Sequence, residues 1–196
     1  MSRIVAVESL SLDGVMQAPG RAGEDTRGGF AHGGWAAPFK DAVMGKAMMQ
    51  GMAQAGPLLF GRRTYEDFFS VWPHRTDNPY TAVLNNSQKY VASTTLAEPL
   101  PWQNSTLLDR DAVGAVGRLK QQLAKDIVVL GSGELVRSLL QARLVDELIL
   151  LIHPILLGSG RRLFPAADGA ERADLTLAGT RTTGTGVVVA TYRAGA

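Results

Sequence analysis

The chain has 196 residues, 45% of them hydrophobic and 19% charged, with a formal net charge of +2. That composition suits one packed domain over residues 1–196 and argues against a disordered chain, and so small a positive surplus, without a run of consecutive Lys and Arg, leaves no footprint for nucleic acid. There is no cysteine, which excludes disulfides, thiolate zinc sites and thiol nucleophiles and fits a reducing cytoplasm.

The first residues, MSRIVAVESLSLDG, are too few and too charged for a secretory signal. Arg3 to Glu8 is a β-branched run that predicts a buried strand. Residues 11–34 are Gly-rich and irregular, and a loop of that length inside a compact domain is functional or mobile. A helix is expected from Pro38, with Phe39, Val43, Ala47, Met48 and Met52 at helical spacing, ending at Gly56 and Pro57; its Met-rich stripe reads as core. Leu58 to Phe60 is a short strand, and GRRTYEDFF turns it into a helix. The stretch holding Pro73 and Pro79 reads as turns. Lys89 to Ala92 and Ser105 to Leu108 are strand-like, and Asp111 caps an amphipathic helix carrying Val113, Val116, Leu119 and Leu123. Ile127 to Leu130 predicts a strand and Glu134 to Gln141 a helix.

The tail changes character: Asp146 to Leu157 and Asp174 to Tyr192 are rich in β formers. The longest apolar stretch, Leu148 to Leu157, is broken by His153 and Pro154 and falls short of the roughly 20 residues a membrane helix needs. DELILLIHPILL is too apolar for an exposed edge strand, so it lies inside a sheet or against another subunit. Strand and helix alternation followed by a β-rich tail predicts an α/β fold, a mostly parallel sheet with an antiparallel C-terminal extension.

Three strand ends share one design. LLFGRRTYE, YVASTTL and IVVLGSGELV each run from an apolar strand into small or polar residues. In open α/β sheets ligands sit beyond the carboxyl ends of the strands, where a helix start offers free N–H groups and a positive dipole end to an anion. GSGELV lacks both the full GxGxxG and the GK[ST] fingerprint, so a phosphate cradle and an ordinary tight turn both stay open for it. Arg62 and Arg63 read either as phosphate grips or as solvated charges, and Ser93 and Thr94 either as ligand contacts or as a simple turn.

In this order, SLDG, GRRTYE, the K-x-V-x-S-T run at Lys89, VLGSGELV and DELILLIHPILLGSGRRLF resemble the dihydrofolate reductase superfamily, in its branch related to the reductase domain of bacterial riboflavin biosynthesis. The resemblance spans Ile4 to Tyr192. It implies a twisted, mostly parallel central sheet flanked by helices, binding NADPH along its carboxyl edge. Gly61, Arg62, Arg63 and Thr64 would meet the adenosine-side phosphates, and Ser93 and Thr94 would lie near the ribose 2′-phosphate. Gly131, Ser132, Gly133, Glu134 and Leu135 would wrap the pyrophosphate. The backbone around Ala6 and Val7 would hold the nicotinamide amide, and the loop from Gly14 would close over its ring. A non-proline cis peptide is expected at Gly131-Ser132, and relatives of this kind imply a homodimer.

The sequence also departs from that pattern. No cysteine is present to form the deaminase domain's Cys-x-x-Cys signature, so that domain is not expected. Val15 follows SLDG where the riboflavin reductases carry a basic residue, which weakens the case for a ribose-phosphate substrate. WAAPFKD puts Ala36 and Ala37 where folate reductases carry an acid, and Asp41 reads as a solvated first-turn residue. Hydride transfer to C=N or C=C needs a proton source. Asp13 is the candidate, with an Asx-turn shaping the loop as its other reading. Trp35 and Phe39, with Trp72, are candidates for an aromatic substrate pocket, against plain core packing. His153 reads as a packed or edge histidine and His32 and His74 as loop residues, so no metal site is expected. The function expected is an NADPH-dependent oxidoreductase acting on a small planar heteroaromatic or imine-like substrate. The alternatives are a free-standing 5-amino-6-(5-phosphoribosylamino)uracil reductase and a non-catalytic dinucleotide-binding protein.

Overall fold

Short, mostly apolar runs make the centre of the molecule. In the computed structural model, which describes residues 1–42, 45, 48, 56–165 and 172–195, six of them lie side by side in parallel. They are β1 (Ile4–Ser11), β2 (Leu58–Gly61), β3 (Lys89–Ala92), β4 (Ser105–Leu107), β5 (Ile127–Leu130) and β6 (Glu147–His153). An antiparallel hairpin of β7 (Leu175–Thr182) and β8 (Val188–Ala194) extends the sheet from β6, giving the order β4-β3-β2-β5-β1-β6-β8-β7. The central strands lack polar alternation because both their faces are covered: all four residues of β5 are buried.

Four helices are described: α1 (Arg62–Val71), α2 (Tyr80–Asn86), α3 (Ala112–Gln122) and α4 (Gly133–Gln141). One face of the sheet packs Ile4, Ala6 and Leu10 with Val116, Val136 and Leu139. The other packs Phe60, Val91 and Val128 with Tyr65 and Trp102. Lys89 is buried under the Trp102 ring, 4.7 Å from its centroid, and donates to the carbonyls of Leu84 (2.8 Å) and Ser87 (2.7 Å). It caps the last turn of α2, and burial pulls its pKa down to about 8.

The structure revises several expectations. β1 does not stop at Glu8, because β6 pairs with it as far as Ser11 opposite His153. The apolar DELILLIHPILL run is accounted for inside the sheet, with β6 between β1 and β8. The turn-rich stretch contains α2, started by Asn78 Oδ1 accepting from the Tyr80 N–H (2.9 Å) and anchored by buried Leu84. Where a helix is expected from Pro38, a 3-10 turn at Ala37–Phe39 ends at Lys40, whose ψ is 132°, and helical residues appear at 42, 45 and 48; Val43, Ala47 and Met52 lie outside the described residues. The Gly131-Ser132 bond is trans, correcting the expected cis bond: two successive left-handed residues, φ 56° and 63°, turn the chain there instead. Among the described residues no helix is long and apolar enough to cross a membrane.

Candidate functional site

β1 runs on past the point where β5 ends, and α1 and α4 leave the sheet just beyond β2 and β5. The ends of β1, β2, β3 and β5, the first turns of α1 and α4, and the loop after β1 enclose a cleft of about 1450 Å³. This is the crevice beyond parallel carboxyl ends where open α/β sheets take ligands.

Both helices that open on it start bare. Neither α1, preceded by Gly61, nor α4, preceded by Ser132, has a side-chain cap, whereas α3 is capped by Asp111 accepting from the Gly114 N–H (3.0 Å). The first N–H groups of a helix have no partner within it, and left bare beside a cleft they attract an anion. Ser132 could have served as a cap, but its Oγ accepts from the Gly61 N–H (2.9 Å) and ties the end of β2 to that of β5. What the turn offers a ligand is therefore backbone. A side chain at Gly131 would be left-handed and pressed to 3.4 Å from Thr64 Cγ2.

Charge at the mouth is unbalanced. Glu134, in the first turn of α4, is shared by three guanidiniums, from Arg161 (2.8 Å), Arg27 (3.5 Å) and Arg63 (3.6 Å). Arg62 is engaged by Glu66 at 2.8 Å, one helical turn on. Arg110 lines the same cleft, as do Thr94 and Thr95. Ser93 closes the turn after β3, its Oγ accepting from the N–H groups of Thr95 (3.1 Å) and Leu96 (3.0 Å).

Sequence reasoning missed Glu8. It lines the cleft between Val7 and Ser9, is 3% exposed, and its Oε1 has no hydrogen-bond partner. Burial pushes its pKa up to about 8, so the group is a neutral acid at pH 7. A carboxyl at a strand's end reads as solvated, and only the pairing of β1 with β6 beyond it takes it inside.

The cleft brings together most of the residues expected from sequence. Val7 lines it from β1, Gly61, Arg62, Arg63 and Thr64 from β2 and α1, Ser93 and Thr94 from β3, and residues 131–135 from the β5–α4 turn. Asp13, Gly14, Trp35 and Phe39 do not line it. Asp13 accepts from Ser11 Oγ (2.6 Å), the N–H groups of Leu157 (3.1 Å) and Gly158 (2.9 Å), and Arg162 (3.3 Å). The Ser11 hydroxyl first, and those backbone groups, hold its pKa down to about 2. Such a carboxylate carries no proton at neutral pH; it clamps the loops after β1 and β6. Gly14 is a turn glycine, φ 81°, whose N–H donates to the Ser11 carbonyl (2.9 Å). Trp35 is buried, its Nε1 donating to the Gln17 carbonyl (2.7 Å), and it packs edge-on against His153 (5.1 Å), as does Phe39 (5.7 Å). Both serve packing there. Of the three aromatic candidates only Trp72 reaches the cleft, with the Arg75 guanidinium 5.2 Å over its ring.

The family described as the RibD C-terminal domain matches residues 3–189. YyaP, an uncharacterized protein of Bacillus subtilis (strain 168), is 32% identical over 145 residues, covering 71% of this chain and 74% of YyaP. A solved protein of Shewanella sp. PV-4 is similar with a TM-score of 0.73 at 21% identity over 99% of each chain. A pyrimidine reductase-like protein of Corynebacterium diphtheriae gives a TM-score of 0.68 at 15% identity, covering 100% of this chain and 92% of the other. These last two likenesses concern the fold.

Proposed function

The chain belongs to the RibD C-terminal domain family, and from that premise we propose that it is an oxidoreductase that uses NADPH to reduce a small planar heteroaromatic or imine-like substrate. The observation that carries the reading is the pair of bare helix starts, with an arginine-rich mouth, on one strand-end cleft. Strands β3, β2, β5 and β1 are consecutive in the sheet, so their ends span about 14 Å. An extended dinucleotide laid across them puts its 2′-phosphate near Thr94 and Arg110, its pyrophosphate at residues 131–135, and its nicotinamide at β1. When bound, it supplies the hydride. The chain's own residues hold the anionic groups, exclude water and keep an acid at hand.

The riboflavin pyrimidine, as a second reading, draws support from the name carried by the Corynebacterium neighbour. Against it, Val15, where a basic residue would grip a ribose phosphate, is fully buried and bridged to Arg162. A cytoplasmic location and a homodimer complete the proposal.

Titration of the purified protein with NADPH and NADH tests the reading. NADPH should bind more tightly. Arg110→Ala should weaken NADPH by about 10- to 100-fold, as expected for one charge-assisted phosphate contact, and barely change NADH. Equal affinities in the wild type would remove the 2′-phosphate argument.

A further inference from the structure

We propose that Glu8 is the cleft's proton donor, neutral beside a reduced nicotinamide and ionised beside an oxidised one. The inference rests on the NADPH reading above and deepens it. Subsites are ordered by the sheet, so the redox ring of a dinucleotide anchored at β3, β2 and β5 arrives at β1, where Val7, Glu8 and Ser9 line the wall. Glu8 is almost wholly buried, and its Oε1 has no partner in the protein. A buried carboxyl oxygen left without a hydrogen bond is destabilising, and a ligand that supplies the bond removes that cost. The other acid considered, Asp13, is committed to four loop contacts.

The balance is simple. A substrate C=N gains a hydride at carbon from the dihydronicotinamide, which becomes the pyridinium. The electron pair left on nitrogen takes the Glu8 proton. The resulting carboxylate lies by the cationic ring until solvent returns a proton through the cleft.

The surroundings isolate the effect. Glu8 shares a strand face with Ala6 and Leu10, which pack in one cluster with Val136 and Leu139 of α4, and it pairs with Leu150 of β6; none of these is ionisable. The ionisable groups lining the same cleft come from the loop after β1 (Arg21, Glu24, Asp25, Arg27), from α1 (Arg62, Arg63, Glu66, Asp67), from α4 (Glu134), and from Lys40, Arg75, Tyr80, Arg110 and Arg161; His153 ends β6. None contributes to the displacement of Glu8, which burial alone causes. Lys89, the other group displaced to about 8, lies under Trp102, outside the cleft.

The experiment measures the affinities of NADPH and NADP⁺ from pH 6.5 to 9.5 for the wild type, Glu8→Gln and Glu8→Met. In the wild type the preference for NADP⁺ over NADPH should rise about tenfold through pH 8, the order expected for one carboxylate near a cationic ring. In both variants the ratio should stay flat. A flat ratio in the wild type, or the same rise in the variants, with both nucleotides still bound, overturns the role of Glu8 alone. Binding of neither nucleotide at any pH overturns the cofactor reading and this inference with it.

Discussion

Between about pH 4.5 and 8 the Glu8 carboxyl is protonated in the folded chain and ionised in the unfolded one. The folded state then binds more protons, so stability falls as pH rises across that window, by about 1.4 kcal/mol per unit, and levels off above it. Glu8→Gln has no such slope. Urea midpoints at pH 5, 7 and 9 should show the variant gaining on the wild type up to about pH 8 and no further. Parallel curves would mean that Glu8 is not held as a buried neutral acid. The same residue marks a limit of sequence reading. Single charges are almost never fully buried, so a Glu ending an apolar run is read as its solvated end. Asp13 shows the opposite case: the motif drew attention to it, but its acidity is set by Ser11 and by residues 157–158, far away in sequence. Trp35 and Phe39 were legible as aromatic, not as the packing of His153, a partner more than a hundred residues on.

Elements read more easily than their ends. Short apolar runs gave the parallel strands and apolar spacing gave α3, because those signals are local. α2 escaped because its seven residues sit behind Pro79, where turn chemistry dominates the pattern. The β5–α4 turn was legible as small residues at a strand end; its left-handed pair and the Ser132 brace on Gly61 depend on β2 and were not. Gly133, the first residue of α4, tests that turn. Alanine is the better helix former there by propensity alone. In this fold, however, a methyl at Gly133 would run into Met16 Sδ and come within 3.1 Å of Leu163 Cδ1. Leu163 is fully buried and Met16 lines the cleft wall, so making room for the methyl shifts a core side chain or one at the cleft. Gly133→Ala should therefore cost about 1–3 kcal/mol by overpacking and weaken nucleotide binding. Thermal unfolding and NADPH titration check the two effects, and a stabilised variant would show that the turn has slack.

At the scale of the molecule the two sheet edges are unlike. β4 is three residues long, a length that discourages further pairing. β7, at the other edge, is eight residues long and every one of them is exposed. Leu175 and Leu177 project from the same face of it at 38% and 53% exposure, with Val188 of β8 exposed at 36%. Arg181 is the only charged side chain on the strand, and a bulge at residues 177–179 is its one irregularity. Such an edge asks for cover, and a second copy of the chain is the cover expected of the proposed homodimer. Sedimentation at micromolar concentration should give twice the chain mass. Leu177→Lys puts a charge in the middle of the exposed strand and should shift the protein toward monomer. Because β7 contributes nothing to the cleft, that variant should bind NADPH as the wild type does. A wild type sedimenting as a monomer would mean that β7 stays uncovered in solution and that the hairpin serves only to close the sheet beyond β6.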